Sequence, residues 1–189
     1  MADDEPGGVT EGLRALAHPL RLRLLSLLTN QAMSAAEAAR ELGESQANIS
    51  YHLRRLHAVG LLELAEEVAV RGGLAKRYRH DPQSGDRISA TTGEEHRLLA
   101  EVLAQELRRR TAHRLVGAPG ATTDAELWVD PEVYRRAMRL AGELGDLLHD
   151  AAQRPHTPDT VRVAATLVLF QMERDEPERE KRPQPKDVR

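Results

Sequence analysis

From Val9 onward apolar residues recur at intervals of three and four, the spacing that places them on one face of a helix. Leu13, Leu16 and Ala17 carry this pattern first, and His18-Pro19 interrupts it. Proline suits the first turn of a new helix, where its missing N–H leaves no bond unmade. Leu20, Leu24, Leu27 and Leu28 form the stripe predicted to be buried on that helix, with His18 as its cap. Ser34-Ala35-Ala36-Glu37 has the spacing of a capping box, in which the hydroxyl meets the third amide and the carboxylate reaches back to the cap. An alanine-rich helix to Leu42 follows, and Gly43 permits a tight turn. Ser45 is placed to cap the next helix, which carries Ile49, Leu53 and Leu56 on one face until Gly60 ends it.

Leu61 to Val70 has alternating, β-branched character, Arg71-Gly72-Gly73-Leu74 reads as a turn, and Ala75 to His80 is a second extended run; together they predict a β-hairpin. Thr92-Gly93-Glu94-Glu95 is a second capping box, opening a helix with Leu98, Leu99, Val102, Leu103 and Leu107 on one side and running to about Leu115. Gly117 to Thr123 is a linker. Glu126 to Val129 is a short strand candidate. Asp130-Pro131 opens a helix with the stripe Val133, Ala137, Leu140, Ala141, Leu144, Leu148 and Ala151, and Val161 to Phe170 is predicted as a well-buried strand. The predicted class is mainly α with a β-hairpin wing, a winged helix-turn-helix over 9–91, followed by an α+β dimerisation or effector region over 92–172. Residues 1–8 and 173–189 are charged and poor in apolar side chains and read as flexible tails.

Residues 34 to 57 have helix-turn-helix spacing, a unit that presents its second helix to a major groove. With Ile49 in the core, a rotation of about 100° per residue turns Ala47, Tyr51, Arg54 and Ala58 outward, with Ser50 and Arg55 on the flanks. Gln46 and Asn48 occupy the first turn, where the helix N-terminus also favours phosphate. Asn and Gln suit adenine edges, and Arg suits guanine O6 and N7. His52 lies nearer the core face and is left out of the expected interface.

Charge sharpens this picture locally and not globally. The 189 residues carry a net charge of -3, with 24 arginines among 27 basic residues spread along the whole chain. Yet Gln46–Leu62 and Val68–His80 contain no Asp or Glu. The second of these stretches supplies Arg71, Lys76, Arg77 and Arg79, the expected phosphate contacts of a wing. The candidate DNA-binding residues are therefore Ser45, Gln46, Asn48, Ser50, Tyr51, Arg54, Arg55, Arg71, Lys76, Arg77 and Arg79.

Leu13-Arg14-Ala15-Leu16-Ala17-His18-Pro19-Leu20-Arg21-Leu22-Arg23-Leu24-Leu25, followed by Ala39 to Leu56 and then Val59-Gly60-Leu61-Leu62, resembles the winged helix-turn-helix of ArsR-type bacterial repressors over about residues 9 to 81. The resemblance implies a homodimer whose two recognition helices read a palindromic operator, with a ligand altering DNA affinity in many members. The chain departs from the family's metal-sensing pattern. It has no cysteine, and His96 and His113, 17 residues apart, do not reproduce the paired Asp/His and His/Glu ligand spacing.

The same lack of cysteine excludes thiolate catalysis and cysteine-ligated zinc. No Ser/His/Asp arrangement, phosphate-cradling glycine loop or carboxylate pair stands out, so neither an enzyme nor a cofactor or metal site is expected. Apolar runs fall short of the roughly 20 residues that cross a bilayer. The acidic N-terminus lacks a secretory pattern, and a cytoplasmic location is expected. The expected partners are double-stranded DNA, a second copy of the chain and, as an alternative, a small organic effector in the C-terminal region. A winged helix that binds protein in place of DNA is the other alternative.

Overall fold

The computed structural model describes residues 15–29, 31–70, 73–80, 84 and 93–173. Residues 9–14, Arg71, Thr92 and both predicted tails up to 8 and from 174 lie outside them. Ala15 and Leu16 are helical, and α1 (Pro19–Leu28) starts at the predicted proline. His18 caps it, its Nδ1 accepting from the Leu20 amide at 3.2 Å. A two-residue strand β1 (Met33–Ser34) leads into α2 (Ala35–Leu42), whose capping box forms as expected: Ser34 Oγ accepts from the Glu37 amide and a Glu37 carboxylate oxygen accepts from the Ser34 amide at 2.7 Å. Gly43 follows at φ 68, a left-handed conformation that a side chain disfavours. Then α3 (Gln46–Ala58) runs from its Ser45 cap to the turn at Gly60, also left-handed.

The hairpin is β2 (Leu62–Val70) with β3 (Gly73–His80), antiparallel from Leu62 opposite His80 to Val70 opposite Gly73. Strand β1, which the hydrophobic pattern did not disclose, pairs with the other edge of β3 through Met33 opposite Tyr78 and Ser34 opposite Arg77, giving the order β1-β3-β2. The wing is thus hydrogen-bonded to the entrance of α2.

One core joins these elements. Leu20, Leu24, Leu25 and Leu28 of α1, Ala38 and Ala39 of α2, and Ile49, Leu53 and Leu56 of α3 pack with Leu61, Leu62 and Tyr78. Alanines where α2 meets α3 allow close approach, and Ile49 and Leu53 fill the space opposite them with no exposed area. Leu25 takes the buried place expected for Leu27, which is only partly buried.

The C-terminal half differs from its expectation. Helix α4 (Gly93–Thr111) ends four residues before Leu115. Helix α5 (Pro131–Asp150) begins after Asp130 as predicted, although the Asp130 side chain makes no cap bond, and none of its residues is buried. The strands expected at 126–129 and 161–170 do not form, and their side chains are exposed, Val161 by 85% and Phe170 by 65%. A β-rich run becomes a strand only against another strand, since its backbone groups have no partners within the segment, and none pairs with either run here. Arg110 Nη1 holds the second run by donating to the Ala165 carbonyl at 3.2 Å.

Candidate nucleic-acid interface

The exposed face of α3 is the one the helical rotation predicts. Gln46, Asn48, Tyr51, Arg54 and Arg55 are exposed and Ser50 is half-buried, while Ile49, His52, Leu53 and Leu56 face inward. Ser45 Oγ accepts from the Asn48 amide at 3.2 Å, so the cap fixes the first turn and leaves its other amides directed outward. Arg54 folds back along its own helix, Nε donating to the Ser50 carbonyl at 3.3 Å.

An acidic side chain that the sequence reading passed over sits at this edge. Glu44, two residues before the carboxylate-free stretch, accepts from Asn48 Nδ2 at 3.3 Å and pairs with Arg23 at 3.7 Å. Arg23 also donates to the Leu42 carbonyl at 3.0 Å, tying α1 to the turn. The Asn48 amide is therefore held, and a negative charge lies beside the helix N-terminus where a phosphate would approach.

The wing corrects the expectation of an acid-free hairpin surface. Glu63, Glu66 and Glu67 on β2 lie opposite Arg79, Arg77 and Lys76 on β3. Arg79 Nε meets Glu63 at 2.7 Å, Arg77 Nη1 meets Glu66 at 2.7 Å, and Lys76 stands 3.7 Å from Glu67. A register shift between Leu64 and Glu66 explains why Glu63 and Glu66 serve one face although three residues apart: the extra residue of the bulge offsets the strict alternation of a strand. Counting charges along a contiguous segment missed these pairs because they form between strands.

Arg77 is more deeply engaged than its neighbours. Beyond Glu66, its Nη2 donates to the Ala32 carbonyl at 2.7 Å, and its Nε and Nη2 donate to the two oxygens of Glu37 at 3.2 and 3.3 Å. Burial alone would raise the Glu37 pKa; the Ser34 amide and hydroxyl and the Arg77 guanidinium outweigh it and hold that carboxyl below its ordinary value. The result is a clamp between the wing and the N-terminus of α2.

Behind α3, His52 is 5% exposed and its Nδ1 accepts from Arg21 Nε at 3.3 Å. Its ring lies against His18 with centroids 4.5 Å apart and planes tilted by 41°, and the exposed Tyr51 ring meets it edge-on at 5.2 Å. Burial, then the neighbouring His18 and Arg21 charges, lower the His52 pKa, with Glu44 opposing; burial and Arg21 likewise lower that of His18. Two neutral imidazoles thus link the base-facing helix to the cap of α1. Among the described residues no helix is long and apolar enough to cross a membrane.

Residues 16–65 match a protein family described as a helix-turn-helix domain. Among solved structures, the chain is similar to an ArsR-like transcriptional regulator from Rhodococcus sp. RHA1, with 28% identity over 56% of this chain and 89% of that one and a TM-score of 0.33. No curated protein matches the chain. The family match spans α1 to the start of β2, and the hairpin with its β1 edge completes the wing, so this part of the chain carries a winged helix-turn-helix domain.

Proposed function

We propose that the protein is a sequence-specific double-stranded-DNA-binding regulator, acting in the cytoplasm as a homodimeric repressor on a palindromic operator. The observation that carries this reading is the division of α3 into a buried face, Ile49, His52, Leu53 and Leu56, and an exposed face of Gln46, Asn48, Tyr51, Arg54 and Arg55. The exposed residue types are those that pair with base edges, on a helix whose orientation the core fixes.

In this reading Gln46, Asn48, Ser50, Tyr51 and Arg54 meet bases. Ser45, Arg55, Lys76, Arg79 and Arg71 meet phosphates, with Lys76 and Arg79 exchanging a wing carboxylate for a phosphate oxygen. Arg77, with four donor contacts inside the molecule, holds the wing at its distance from α3 and acts on DNA through that placement. Two-fold symmetry places the half-sites about 34–36 Å apart, one turn of the duplex. Repression follows because a dimer seated on a promoter blocks polymerase with no further contacts.

Selection of bound duplexes from a random pool tests the assignment. An inverted repeat with half-sites one turn apart is expected. A bound fraction with the composition of the starting pool would leave the protein-binding alternative in its place.

A further inference from the structure

Helix α5 has two features that its own fold does not explain. Its apolar residues Val133, Ala137, Leu140, Leu144 and Leu147, with Ala151 at its C-cap, are spaced 4, 3, 4, 3 and 4 apart, the heptad spacing of a helix that packs along another helix. Apart from the half-buried Ala137 this seam faces solvent, with Val133 at 52%, Leu140 at 54%, Leu144 at 47% and Leu147 at 64% exposure. The charges on the same helix are also ordered. After Glu132 in the first turn, Arg135, Arg136 and Arg139 occupy the first half, and Glu143, Asp146 and Asp150 the second, with His149 in the last turn. The helix dipole reaches only the end turns, where Glu132 is favourable and Asp150 is not, so it does not account for the division of charge between the two halves. Arg135 pairs with Glu132; among the described residues Arg136, Arg139, Glu143, Asp146 and Asp150 have no ion-pair partner.

We infer that α5 pairs antiparallel with α5 of a second copy of this chain. An antiparallel partner sets the basic half of one helix against the acidic half of the other, whereas a parallel partner sets like against like. The seam fits the same geometry. Aligning residues whose numbers total 284 sets Leu140 against the partner's Leu144, Ala137 against the partner's Leu147, and Val133 against the partner's Ala151, so every seam position meets another and a small side chain faces a larger one in two of three layers. Beside the seam, Arg136 comes level with the partner's Asp150 on each side of the two-fold axis. Glu143 meets its own copy near the axis, with Arg139 one turn away to offset the repulsion. The inference rests on the homodimer proposed above and assigns the surface that makes it.

The chain has no cysteine, so introduced ones report without background. Ala137→Cys and Leu147→Cys chains are prepared separately, mixed, allowed to exchange and oxidised. Antiparallel pairing gives a disulfide-linked heterodimer from the mixture and little from either variant alone. In that alignment two copies of residue 137 lie about 15 Å apart along the axis, at 1.5 Å per residue. In parallel pairing each variant links to itself, which would overturn the inference. A second measurement reads the charges: Arg136→Asp is expected to weaken dimerisation about tenfold, and adding Asp150→Arg to restore it to within about threefold, by sedimentation over a concentration series. A dimer indifferent to these exchanges that forms no linked heterodimer retains the homodimer and overturns the role of α5. A wild-type chain that stays monomeric at all concentrations overturns both.

Discussion

The His18 and His52 rings lie with centroids 4.5 Å apart and planes tilted by 41°, joining the residue that caps α1 to the inward side of α3. Arg21 from α1 donates to His52, Glu44 from the turn faces both rings, and Arg55 of α3 lies near Arg21, so any added charge enters a crowded, mostly basic cluster.

Both imidazoles have pKa values below the ordinary 6.5. The unfolded chain therefore binds more protons than the folded one as the pH falls below 6.5, and stability falls with it. Their stabilising contribution is full above pH 6.5 and is lost as acidification reaches the folded values. Urea unfolding at pH 7.5 and 5.5 should show a lower midpoint at 5.5. His18→Asn with His52→Leu, which keeps a capping side chain, should flatten that difference; an equal difference in the variant would place the proton uptake elsewhere.

Arg77 and Arg79 face the same side of β3, yet their removal should have different consequences. Arg77→Ala leaves Glu37, Glu66 and the Ala32 carbonyl without their donor and is expected to cost roughly 1–2 kcal/mol of stability. Arg79→Ala removes an exposed pair and should cost about 0.5 kcal/mol or less. Because the Glu37 carboxyl titrates below its ordinary 4.5, the clamp stabilises above that pH and weakens as the pH falls through the folded value. Thermal unfolding of the two variants at pH 7 decides the ranking, and equal losses would remove the clamp from Arg77.

On DNA the order reverses in kind. Arg79→Ala or Lys76→Ala should weaken selected and unrelated duplexes alike and lower the salt slope by about one. Arg54→Ala should cost about 1–3 kcal/mol on the selected duplex and relax preference at one position per half-site. Affinities on both duplexes across a salt series separate the two behaviours; a sequence-independent effect from Arg54 would move it to the phosphate contacts.

Glu44→Gln should tighten binding to every duplex, because it removes a negative charge beside the helix N-terminus while an amide oxygen can still accept from Asn48. Unchanged or weaker binding by anisotropy would mean that the Glu44 carboxylate stays clear of phosphate.

The helix-turn-helix was legible in the sequence because its signals are local. The Ser34–Glu37 box, Gly43 at positive φ, the Ser45 cap and the Ile49–Leu53–Leu56 stripe act within a few residues of themselves. What escaped depends on distant neighbours. Strand β1 exists only through its pairing with Tyr78 and Arg77, and the wing cations acquire carboxylate partners only across the hairpin. The Val161–Phe170 run shows the converse: an apolar, β-branched composition states that a surface is to be covered and says nothing of what covers it. The apolar stripe of α5 is likewise legible in the sequence, but not what covers it, and its exposure is a basis for the α5 pairing inferred above.

In the proposed function the exposed face of α3 reads base sequence. The most direct measurement compares the wild-type chain with the Gln46→Ala, Asn48→Ala, Arg54→Ala triple variant, titrated at one salt concentration against the selected duplex and a scrambled one. The predicted result is loss of discrimination between the duplexes, with affinity for the scrambled one nearly unchanged. Discrimination that survives the triple substitution would contradict the assignment of this face.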